Sequence, residues 1–120
     1  MYILPKLKKK MTDKMLKFVE IGQQTPPKRG VETRKEDFKE IYDEFINRKA
    51  QEQSSRCSQC GVPFCQVHCP LSNNIPDWLK LTAEGRLKEA YELSQSTNNM
   101  PEVCGRICPQ DRLCEGNCVI

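Results

Sequence analysis

The apolar residues form one strong helical stripe and two shorter ones. Phe38, Ile41, Tyr42, Phe45 and Ile46 recur at i, i+3, i+4, i+7 and i+8, the spacing of one helix face. Thr33-Arg34-Lys35-Glu36 stands before them as a capping box, in which Thr33 accepts from the Glu36 amide and Glu36 reaches back. The pattern predicts a long helix from there to near Gln53, its stripe used for packing. Ser72-Asn73-Asn74, with Pro76 in the first turn, predicts a second helix over Asp77–Glu84, stopped by Gly85. Leu87, Ala90, Tyr91 and Leu93 predict a third over Arg86–Ser96, ended by Asn98-Asn99, and Pro101 opens a short segment. A weak helical pattern at Met15–Gln23 (Leu16, Phe18, Val19) is broken by Thr25-Pro26-Pro27, and Gly30-Val31 continues that loop. Sustained strand alternation is absent. The expected class is all-α, with irregular cysteine loops, and Trp78, Leu87 and Tyr91 read as core.

Charge and cysteine divide the 120 residues. Residues 1–56 carry 14 Lys+Arg against 9 Asp+Glu, a net +5; residues 57–120 carry 5 against 7, a net -2, and all eight cysteines. The expected organisation is a basic N-terminal arm and loop, 1–33, then a helical cysteine module, 34–120. The lysine run Lys8–Lys10 adjoins no base-stacking aromatic, so nucleic acid is not an expected partner. A solvated arm or a docking arm for a protein remains, and Met11 or Met15 as the start would make the run incidental. The chain has no apolar run of the roughly 20 residues that cross a bilayer, so no membrane partner is expected. Pro5 and Lys6–Lys10 stand where the apolar part of an export signal would lie. A cytoplasmic protein is expected. Hydrophobic residues make up 38% and aromatics 7%, too few for a large ordinary core, so the cysteines must help hold the fold.

The cysteines form two groups: Cys57-x2-Cys60-x4-Cys65-x3-Cys69-Pro70, and Cys104-x3-Cys108-Pro109 followed by Cys114-x3-Cys118. Disulfides suit an exported chain, which this one does not resemble. A zinc-stapled helical interaction module is an alternative, but only Cys57/Cys60 has the paired spacing of a zinc site. Iron–sulfur clusters fit best. The bacterial ferredoxin run C-x2-C-x2-C-x3-C-P sends its last cysteine to the other cluster. This chain has two extra residues between its second and third cysteines and keeps the x3-Cys-Pro ending. By that logic Cys57, Cys60 and Cys65 begin one cluster, Cys69 crosses to a second, and the late cysteines complete both. His68, the only histidine, reads as a cluster ligand, a hydrogen-bond donor near sulfur, or a loop residue. Gly61, Gly105 and Gly116, beside cysteine positions, would permit close backbone approach or serve as turns.

Arg56-Cys57-Ser58-Gln59-Cys60-Gly61-Val62-Pro63-Phe64-Cys65, His68-Cys69-Pro70-Leu71, Asn74-Ile75-Pro76 and Gly85-Arg86 carry a family pattern. So do Thr97 to Glu102 and Cys104 to Cys118. The sequence resembles the N-terminal iron–sulfur domain of the small (β) subunit of bacterial NADPH-dependent glutamate synthase, the domain type that also opens dihydropyrimidine dehydrogenase. The likeness covers roughly residues 15–120 and is most specific from Arg56 onward. It implies a small helical ferredoxin-like domain around two [4Fe–4S] clusters. One would take Cys57, Cys60, Cys65 and Cys118; the other Cys69, Cys108 and Cys114, with a non-cysteine fourth ligand further along the family's chain. Cys104 would then be a buried thiol outside both sets, or a stand-in for that fourth ligand. The resemblance further implies electron relay: NADPH reduces FAD, and the clusters pass single electrons to FMN in the large (α) subunit. There glutamine and 2-oxoglutarate yield glutamate. A sister NADPH-linked oxidoreductase is an alternative setting. The six glycines form no G-x-G, so FAD and NADPH are expected in the remainder of a longer flavoprotein subunit, and this stretch alone should be inactive.

Overall fold

The computed structural model describes residues 15–45 and 47–120. Met1–Leu4, the lysine run, Met11 and Ile46 lie outside them. The described residues hold six α-helices: α1 Val31–Glu36, α2 Asn47–Ser54, α3 Phe64–His68, α4 Ile75–Ala83, α5 Leu87–Thr97 and α6 Pro101–Ile107. Single 3-10 turns occur at Lys17–Val19 and Glu115–Asn117. One isolated antiparallel bridge, Lys28 to Tyr42, is the extended pairing among the described residues. The all-α expectation holds, and no described helix is long and apolar enough to cross a membrane.

The second half agrees closely with the sequence. Pro76 sits in the first turn of α4, where its missing N–H costs no bond. Gly85 takes φ 76, the left-handed conformation that ends α4, and α5 then folds back on α4. α2 also packs on α4. α3 packs on α4 and on the Glu115–Asn117 turn. That last contact brings the first cysteine group against the last.

The long helix expected from Thr33 to Gln53 is not formed. Its place is taken by α1, an irregular stretch and α2. α1 starts at Val31 with Gly30 as its cap, so Thr33 lies inside the helix and the capping box is not made. At Asp37 the backbone is extended (φ -140, ψ 170). Arg29 grips both Asp37 carboxylate oxygens at 3.0 and 2.8 Å and donates from Nε to the Glu40 carbonyl. Asp37 also accepts from the Lys39 N–H, and Glu40 Oε1 from those of Ile41 and Tyr42. Carboxylates that satisfy nearby amides compete with the helical ladder. Two positions of the stripe are meanwhile left uncovered: Phe38 is fully exposed and Ile41 about half so. Arg106, between Cys104 and Cys108, forms a two-pronged ion pair with Glu40 and ties this stretch to the second cysteine group.

The helix expected within Met15–Gln23 is reduced to the turn at Lys17–Val19. This segment is held by the end of α2 and by residues 55–57. Leu16 N–H donates to Cys57 O, Lys17 N–H to Ser55 O, Gln24 N–H to Gln53 Oε1, and Arg56 Nε to Ile21 O. Among the described residues the buried hydrophobics are only Ala83 and Ala90. Trp78, Leu87 and Tyr91, expected in a core, instead wall a cavity, and Tyr91 is 62% exposed.

Candidate metal centre

Local devices place the cysteines. Cys69 and Cys108 cap the C-termini of α3 and α6 with extended backbone, ψ 123 and 137. Pro70 and Pro109 account for that, because proline disfavours the helical conformation in the residue before it. Each cap is fixed by its N–H to the carbonyl four residues back: Cys69 to Cys65 at 3.2 Å, Cys108 to Cys104 at 3.1 Å. The Cys-Pro echo in the sequence is thus one geometry used twice. Cys118 ends the Glu115–Asn117 turn in the same extended way, its N–H on Glu115 O. Asn117 Nδ2 donates to Leu113 O at 2.6 Å, and Gly116 N–H to Gln110 O at 3.0 Å, folding the Cys114–Cys118 loop onto itself. A Cβ on Gly116 would lie 1.8 Å from Asp111 O, so close approach is required there, to backbone. A Cβ on Gly61 or Gly105 would meet no atom within 4 Å outside its own local backbone, so no close approach is required there.

All eight cysteines line one cavity of about 1080 Å³, just above the ~300–1,000 Å³ usual for a ligand site. Its other walls come from α4, α5 and residues 115–120, including Ile75, Trp78, Leu79 and Val119. The thiols are free, half-buried except for exposed Cys118. Burial is the main cause that pushes the Cys65 thiol up; the Gln66 N–H opposes it, and the charges of Cys57, Cys118 and Cys114 add to it. Burial likewise raises Cys114, opposed by the Glu115 N–H and reinforced by the charges of Glu115 and Cys108. Bare thiolates are therefore disfavoured at these two positions unless a cation stands beside them; among the described residues no three His, Cys, Asp or Glu side chains stand close enough together to hold a metal ion as they are.

Three sulfurs have hydrogen-bonding side chains against them among the described residues. Cys57 Sγ accepts from the Gln59 backbone N–H at 3.4 Å and from Gln59 Nε2 at 3.3 Å. Ser58 Oγ lies 2.9 Å from Cys60 Sγ. Asn98, buried, donates from Nδ2 to Cys104 Sγ at 3.2 Å. Cys104 is half-buried, not buried as expected, and shares the cavity with the other seven. His68 ends α3 exposed and is not among the residues that line the cavity. Sequence spacing singled out the cysteines but not Gln59 or Asn98. Their signal was only an amide side chain near a cysteine.

The family described as dihydropyrimidine dehydrogenase domain II, 4Fe-4S cluster, matches residues 34–120. The chain is 71% identical over 107 residues to the glutamate synthase [NADPH] small chain of Azospirillum brasilense, covering 89% of this chain and 22% of that one. It is 50% identical over 110 residues to the protein of the same description from Escherichia coli K12 (92% and 23%), and 41% identical over 112 residues to that from Bacillus subtilis 168 (86% and 22%). The chain thus spans under a quarter of the length of these relatives. Eight thiols around one hollow and a match over most of the chain agree: the chain belongs to the 4Fe-4S cluster family described as dihydropyrimidine dehydrogenase domain II.

Proposed function

We propose that this chain is the electron-relay domain of a cytoplasmic NADPH-dependent glutamate synthase and holds two [4Fe–4S] clusters. Cys57, Cys60, Cys65 and Cys118 ligate the first; Cys69, Cys108 and Cys114 ligate the second, whose fourth ligand comes from outside these residues. The observation that carries the reading is the cavity that stands where a core should be, walled by every cysteine of the chain. The charges of Cys57, Cys118 and Cys114 all act on Cys65, and that of Cys108 on Cys114, as thiols sharing one cavity would; the division into two sets follows the family resemblance. When bound, a cubane supplies one-electron transfer at a potential set by hydrogen bonds, charge and burial. The chain's own part is to hold thiolates rigid, keep one face apolar and aim N–H groups at sulfur. FAD, NADPH and the large (α) subunit's FMN belong to the rest of the assembly, with glutamine and 2-oxoglutarate as substrates. The relative at 71% identity is a glutamate synthase small chain, which favours this setting over a sister oxidoreductase.

Anaerobic purification tests the reading. A brown protein with about eight irons and as many labile sulfides per chain supports it. A colourless protein with stoichiometric zinc would replace it with the zinc-stapled module.

A further inference from the structure

Gln59 stands out in the first cysteine loop. Its backbone is left-handed (φ 51), a conformation that favours glycine. The residue is nevertheless one whose side-chain amide nitrogen makes two hydrogen bonds. Both its backbone N–H and its Nε2 reach Cys57 Sγ, and the same Nε2 donates to the Pro76 carbonyl at 2.7 Å. The side chain thus spans from the loop to the first turn of α4, buried at Pro76. That anchor fixes where the amide points. No other described residue puts two donors on one sulfur.

We propose that Gln59 is a positioning residue that raises the reduction potential of the cluster held by Cys57. The inference rests on the proposed cluster assignment. Reduction adds one negative charge to the cluster and so to its sulfurs. Donors already aimed at a sulfur stabilise that charge more than the oxidised state, because they need not reorganise. The left-handed backbone is what turns both donors to the same side, and Pro76 keeps the amide from swinging to water.

The test is an EPR-monitored redox titration of the chain and of three variants, with iron counted in each. Gln59→Met keeps the shape and removes the amide donor. Gln59→Gly removes the side chain but keeps the backbone N–H and suits the left-handed conformation, so its loop closes even if the Met variant folds badly. Gln59→Glu puts a negative charge where the amide was. With iron retained, one cluster should fall in potential in the order Gln, then Met and Gly, then Glu, while the other stays put. The Met and Gly variants should shift the reduced-to-oxidised ratio up to about tenfold, which is about 59 mV for one electron. Equal potentials at full iron would overturn the proposal. Loss of the cluster in both the Met and Gly variants would make Gln59 an assembly residue and overturn it too. Absence of iron from the parent chain would instead reject the cluster reading.

Discussion

Replacing Gly116 with alanine should empty a cluster site without touching a cysteine. A Cβ at this position meets Asp111 O at 1.8 Å and Asp111 C at 2.6 Å. Both are backbone atoms, so no side chain can swing aside. Real Cβ contacts essentially never fall under 3.0 Å, so one strand of the loop must move by about 1.2 Å. Metal constellations need their ligands held to within about 0.5 Å. Cys114 and Cys118 flank the displaced glycine at two residues' distance, and the Gly116 N–H bond to Gln110 O would go with it. Overpacking alone costs about 1–3 kcal/mol; the larger loss comes from metal binding coupled to folding. Iron per chain and the thermal midpoint, measured beside Gly22→Ala, are the assay. Gly22 has no protein atom within 4 Å of its Cβ position, so that variant should match the parent. Full iron in Gly116→Ala, with an unchanged midpoint, would show that this turn is not a rigid ligand support and would refute the reasoning.

The remaining expectations concern single side chains. Cys118→Ser should lose one cluster and unfold much of the domain, whereas Cys104→Ser should keep its iron content; retention of both clusters by the former would break the ligand assignment. Arg29 holds the Asp37 carboxyl down at about 2 by hydrogen bonding, helped by the Lys39 N–H. A carboxyl depressed in the fold stabilises it above its ordinary value near 3.9, and that contribution disappears as pH falls toward 2. Pepsin should therefore cut the parent more slowly than Asp37→Asn near pH 4, and the two rates should converge near pH 2; a constant ratio would deny the ion pair any role in ordering residues 28–42.

The legible part of the sequence was the part with strong local punctuation. Pro76, Gly85 and Pro101 each impose a backbone state, and α4, α5 and α6 begin or end where those residues sit, whereas the expected Asn74 cap on α4 is not made by its side chain. That the eight cysteines belong to one site was legible from their spacing, and all eight line one cavity. The long helix failed because periodicity reports only that one face is apolar. It does not report whether anything covers that face. Here Asp37 and Glu40 capture Arg29, Arg106 and nearby amides, Arg29 from eight residues before Asp37 and Arg106 from 66 residues after Glu40; such pairings leave no periodic trace. Trp78, Leu87 and Tyr91 were misread for a related reason: side chains facing a cofactor cavity have the spacing of core residues but not their burial.

The same hollow explains why the cysteines sit where they do. A domain whose buried hydrophobics, among the described residues, are two alanines has little apolar burial to offset chain entropy, so metal binding must supply the difference. A ligand contributes to that only if its own position is already fixed; otherwise ordering it consumes the gain. Cys69, Cys108 and Cys118 meet this condition in one way: each ends a short helix or turn, bonds back into it through its N–H, and leaves in extended conformation. Fixed ligands also mean that adding an electron moves few atoms, which is what a relay requires. Stability and electron transfer therefore make the same demand on this chain. A variant that loosens a cysteine cap should damage both together, while removing the Gln59 amide, which costs one bond to Pro76 as well as a donor to sulfur, should change the potential with the cluster retained.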